Sequence, residues 1–258
     1  MPRILIVFLL IPILFAACST NNVTVDDSPK KYFDDAGVTG CFGLYDNGQG
    51  HFTIYNLGRF RDSAYTPGPT FDILQALVGL QTGALANDTT RVGGASLQRV
   101  FTGEFEEAGS RGLAAVVGRD SLKKWVDSLR YGNRDISEFF DSGATAGKLR
   151  ITADEQMGIT KKLYFDQLPF FQRTQLLVRE MFMHERNSNY SLVYKTGRAI
   201  GADGKVVGWI MGWVEENKHP YFFVCNMQPA NGQIDVSAVG LQLVKKILRP
   251  MGFFEGKK

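Results

Sequence analysis

Lys195-Thr196-Gly197 sets an ammonium, a hydroxyl and a bare stretch of backbone in three consecutive positions. On a strand, that set can hold an extended acyl-amide or a carboxylate by adding it to the strand edge. Arg198 follows at once, a further anion partner at the mouth of such a cleft. A second stretch, Pro69-Thr70-Phe71-Asp72, has the chemistry of a helix start. Proline suits the first turn, where its missing N–H has no partner, and an acid there meets the positive end of the helix dipole for about 0.3–1 kcal/mol. The alternative role for Asp72 is to activate water for hydrolysis without a covalent intermediate. His51, His184 and His219 are scattered and the cysteines lack zinc spacing, so no metal or cofactor is expected.

These groups need a scaffold, and the chain is long enough for one domain in two lobes. It has 258 residues, 44% of them hydrophobic. The formal charge of +3, from 29 basic and 26 acidic residues with no Lys/Arg run, gives no footprint for nucleic acid. The N-terminus is more informative. After Arg3 comes "ILIVFLLIPILFAAC", too short for a comfortable membrane span and ending in small residues before Cys18. Residues 1–17 read as an export signal. The Ala16-Ala17-Cys18 ending resembles a bacterial lipobox, which implies lipid on Cys18 and an anchored protein facing the periplasm or cell exterior. An ordinary secretory signal with an incidental cysteine is the alternative. Residues 18–31 are polar and read as a tether, with the domain spanning 32–258.

In the domain, "TGCFGLYDNGQGHFTIYN" predicts a hairpin turning at Asp46-Asn47-Gly48. From Thr70 to about Glu185 the apolar residues recur at helical spacing. Strands resume with "YSLVYKTGRAI", "KVVGWIMGWVEE" and "YFFVCNMQ", and "VSAVGLQLVKKILRPMG" closes the chain as an amphipathic helix. The order predicts an α/β (α+β) fold: one antiparallel sheet built from both termini and flanked by helices, with an all-helical lobe beside it.

That order, with Tyr131-Gly132-Asn133, Lys195-Thr196-Gly197 and "GWIMGWVE" at 208–215 followed by "YFF", resembles the penicillin-recognising serine enzymes, above all the class D β-lactamases. The resemblance covers residues 38–255. It implies a binding cleft at Tyr131, Asn133, Lys195, Thr196, Gly197 and Arg198, and places Cys41 and Cys225 on neighbouring strands, where export permits a disulfide.

The catalytic parts depart from the family's pattern. Its helix begins Ser-x-x-Lys, in which a lysine carrying a carbamate deprotonates the serine. Pro69 and Asp72 occupy those positions here. Counting back from Tyr131 without a gap sets the family's Ser-x-Val at Phe105-Glu106-Glu107, with no hydroxyl, and the tryptophan that shields the carbamate falls near Ala144. No Lys or Arg occurs from Met227 to Val244, where the family commonly keeps a carboxylate-pairing arginine. These departures imply a non-acylating binding or scaffolding module whose cleft takes a peptide, a carboxylate or a protein. An active hydrolase with a displaced nucleophile is the alternative, and a penicillin-binding sensor the third.

Overall fold

A computed structural model describes residues 22–141, 147–230 and 235–258, apart from the side chains of Glu106 and Glu107. The N-terminal portion carries β1 (Val23–Val25), α1 (Lys30–Asp35), β2 (Val38–Asp46), β3 (His51–Tyr55), α2 (Leu57–Asp62) and the short β4 (Ala64–Tyr65). The middle is largely helical, with α3 (Asp72–Thr82), the two-residue strands β5 (Arg91–Val92) and β6 (Ala95–Ser96), α4 (Leu97–Phe101), α5 (Glu106–Val117), α6 (Arg119–Leu129), β7 (Ile151–Thr152), α7 (Ala153–Tyr164) and α8 (Gln172–Glu180). Then come β8 (Met183–Arg186), β9 (Ser191–Ile200), β10 (Val206–Glu216), β11 (His219–Pro229) and α9 (Val236–Leu248).

The main sheet runs β1-β3-β2-β11-β10-β9-β8, so strands from both ends of the chain meet at β2 and β11. Every neighbouring pair is antiparallel except β1 with β3. The β2–β3 turn forms as its residues predict: Asp46 Oδ1 accepts from the N–H groups of Gly48 at 2.9 Å and Gln49 at 3.1 Å. Between β10 and β11, Asn217 and Lys218 both take left-handed φ, which matches the twist of a two-residue hairpin.

Both faces of the sheet are covered. Alternate residues of β10 point to opposite sides: Trp209, Met211 and Trp213 meet the helical lobe, whereas Ile210 and Val214 meet the layer of α1 and α9. Gly208 lets α9 approach, because a Cβ at that position would fall 1.7 Å from a methyl carbon of Val236.

Two sequence expectations change. The chain through residue 31 is not all tether: Val23–Val25 pairs with Phe52–Ile54, and α1 starts at Lys30 to bury Phe33. Three residues are too short to show a strand pattern, and an exposed edge supplies their hydrogen bonds. The second change concerns the two cysteines. Cys41 pairs with Asn226 and Cys225 with Phe42, one register apart. Their side chains therefore leave opposite faces, Cys41 into the core of the helical lobe and Cys225 into the core under α9. Both are free, and that divergence forbids a bridge between them.

Candidate functional site

The site begins where β9 passes the entry to α3. Pro67 and Pro69 suit the tight turn here, which is a 3-10 turn over Gly68–Phe71 that leads into α3 at Asp72. Thr70 donates to the Pro67 carbonyl at 2.8 Å and accepts from Gln156 Nε2 at 2.8 Å. Its hydroxyl is buried and committed on both sides. Gly197 of β9 lies so close that a Cβ there would sit 3.0 Å from the Thr70 nitrogen.

Asp72 is not the solvent-facing dipole partner that its place in the first turn suggests. Its side chain is 0% exposed and its Oδ2 lies 3.8 Å from Lys195 Nζ, whose side chain is 2% exposed. The separation makes an ion pair without a hydrogen bond, and Oδ2 has no other partner. Oδ1 accepts from Ser110 Oγ at 2.6 Å. The Lys195 ammonium donates to the Phe101 carbonyl and stands 4.3 Å from the centre of the Phe101 ring. Burial raises the Asp72 carboxyl to about 6, against the pull of Lys195 and the Ser110 hydrogen bond. It lowers Lys195 to about 8, against the attraction of Asp72.

Above this pair opens a cleft of about 390 Å³, lined by Thr196, Gly197 and Arg198 of β9, by Pro69, and by Glu104 and Ser237 from the flanking loops and α9. The six residues expected to share a cleft divide. Thr196, Gly197 and Arg198 line it, whereas Lys195 turns beneath it toward Asp72, as alternation along β9 dictates. Tyr131 is buried against Phe71, ring centres 5.2 Å apart, where desolvation raises its hydroxyl. Asn133 is exposed and ties two loops together: it donates to the Lys148 carbonyl at 2.7 Å and accepts from the Arg150 N–H at 3.0 Å. Neither Tyr131 nor Asn133 reaches the cleft.

Phe105 precedes α5 with its ring half-exposed under the Arg99 guanidinium, and so carries no part of the buried site. The hydroxyl that meets Asp72 belongs to Ser110, five residues later on the buried face of α5. Nothing in the sequence around Ser110 marks it as the partner of Asp72, because the contact joins residues 38 apart in the chain. Cys18 and Ala144 lie outside the described residues. Among the described residues no three His, Cys, Asp or Glu side chains are grouped to hold a metal, and no helix is long and apolar enough to cross a membrane.

Residues 106–250 match the penicillin-binding protein transpeptidase domain. The β-lactamase OXA-5 of Pseudomonas aeruginosa is 31% identical over 78% of this chain and 80% of its own. The chain belongs to the class D β-lactamase family. A probable β-lactamase, YbxI of Bacillus subtilis, is 29% identical over 81% of this chain and 79% of its own. Among solved structures, a class D β-lactamase from Nostoc superposes with a TM-score of 0.76 at 28% identity, covering 88% of this chain and 99% of that one. The C-terminal domain of the Bacillus licheniformis BlaR penicillin receptor superposes at 0.77 with 25% identity, over 90% and 98%.

Proposed function

We propose that this class D β-lactamase-like protein is a pseudoenzyme of the bacterial cell envelope, exported and held to a membrane by lipid on Cys18, whose cleft binds a ligand without acylation. One observation carries the reading: Pro69 has no heteroatom to attack with, and Asp72 below it is committed to Lys195 and Ser110. The remaining lining of Thr196, Gly197 and Arg198 fits an extended peptide or a carboxylate. Thr70, next to Pro69, and Ser110, bonded to Asp72, are both buried with their hydroxyls hydrogen-bonded, which weakens the hydrolase alternative at those two positions. Thr102, Thr196 and Ser237 are the serine and threonine hydroxyls of the cleft that it would have to use. The likeness to a penicillin receptor favours a sensor as the second reading, one that here would have to recognise its ligand without a covalent bond.

The test is covalent labelling by a fluorescent penicillin, followed by peptide mass spectrometry. Wild type stays unlabelled, and so does Pro69→Ser, whose serine has no base. In Pro69→Ser with Asp72→Lys, a second buried ammonium faces Lys195, so this variant loses stability before it gains a base. Labelling of wild type at any serine or threonine overturns the reading. Noncovalent, saturable penicillin binding by wild type selects the sensor.

A further inference from the structure

Asn133 has a second consequence, because the two loops it ties together are basic. Arg130 and Arg134 flank the Tyr131-Gly132-Asn133 turn, and the Asn133 side chain bonds the backbone of Lys148 and Arg150. All four cations are exposed, and among the described residues none is in an ion pair. The nearby carboxylates do not cancel them. Asp127 is paired with Lys123, Asp141 with Arg119, and Glu138 is buried, receiving the N–H groups of Lys148 and Leu149. Asp135 and Glu155 oppose the cluster from the surface: the Asp135 carboxyl is held low by hydrogen bonds from Ser137 and by the charges of Lys148 and Lys123, and the Glu155 carboxylate caps the start of α7 through the Thr152 N–H.

The cluster continues toward the start of the described chain. Lys162 lies beside Leu129 and Tyr131 around a small enclosed cavity, and it also lines a surface groove of about 470 Å³ with Lys161, Phe165, Asp154 and Phe52. Asp154 is the groove's one carboxylate. Phe165 is 38% exposed. Across the groove, the Phe52 N–H donates to the carbonyl of Asn22, the first described residue, at 2.8 Å. Cys18 is four residues upstream, a span of at most about 14 Å. Clustered cations with an exposed aromatic beside them are what an anionic lipid–water interface attracts.

We propose that this face, from Arg130 and Arg150 across Lys162 to Phe165, lies against a bilayer containing anionic phospholipid. The inference rests on the anchor reading only in that lipid on Cys18 would hold the face near the bilayer; the charge and the groove belong to the domain itself. The probe is therefore residues 18–258 carrying Cys18→Ser, which retain every described element and have no acyl chain. They are sedimented with vesicles of phosphatidylcholine alone or of phosphatidylcholine mixed with phosphatidylglycerol. Binding is expected only to the mixed vesicles and is lost at high salt. Arg134→Gln with Arg150→Gln weakens it roughly 25-fold, about fivefold per arginine, and Lys246→Gln on α9 leaves it unchanged. Equal binding to both vesicle types, no binding to either, or full binding by the double variant overturns the proposal. Incorporation of labelled fatty acid into wild type but not Cys18→Ala tests the anchor separately, so either idea can fail alone.

Discussion

Lys195 and Asp72 form a buried ion pair beneath the cleft, 3.8 Å apart, joining strand β9 to the first turn of α3. Its main effect is to remove the Lys195 ammonium from the cleft, leaving Thr196, Gly197 and Arg198 as the lining that β9 contributes.

Breaking the pair on one side strands a charge in the core. Asp72→Leu or Lys195→Met alone is expected to cost about 3–5 kcal/mol, whereas the double substitution is neutral or stabilising, because apolar residues of similar size avoid the desolvation of both ions. Urea unfolding of the three variants measures this; a double variant as unstable as the two singles added together would mean that the groups act independently.

The pair also sets a pH dependence. The folded-state pKa of Asp72 is raised to about 6, so its contribution to stability is fully present below its unfolded value near 3.8 and is lost as pH rises through 6. Lys195 is depressed to about 8; its contribution is present above its unfolded value near 10.5 and is lost as pH falls through 8. Relative to Asp72→Leu/Lys195→Met, wild type should thus be least stable between pH 6 and 8 and gain on either side. The difference between the two unfolding curves across pH cancels contributions from other groups, and a flat difference would refute the assignment.

Cys41 and Cys225 should remain thiols under oxidising conditions, since their side chains leave opposite faces of the sheet. They should also be slow to react in the folded protein. Burial pushes the Cys41 thiol up to about 12 despite the charge of Arg59, and it raises Cys225 as well. Alkylation followed by mass spectrometry is expected to find both modified after denaturation and neither before; a mass consistent with a bridge would contradict the register.

Much of the architecture was legible from local pattern. Asp46-Asn47-Gly48 announced its hairpin, and the apolar repeat of "VSAVGLQLVKKIL" announced α9. Lys195-Thr196-Gly197 was legible as a strand at a cleft, but the direction of the lysine was not. A carboxylate in a helical first turn reads the same whether it faces water or a distant lysine, and only the packing of β9 on α3 decides between them. Ser110 was hidden because its contact with Asp72 joins residues 38 apart in the chain, and Tyr131 and Asn133 by a fold that puts one in the core and the other in a surface tie.

The three-residue pairing of β1 with β3 has a mechanical consequence. A pull on the N-terminus loads the bond from the Phe52 N–H to the Asn22 carbonyl first and then opens the parallel ladder one link at a time. The next resistance is α1, which is held by the buried Phe33. Peeling residues 23–27 would free a segment about 15–20 Å long while β2, β11 and the cores on both sides stay intact. The first strand thus acts as a short extensible link in series with a stiff body.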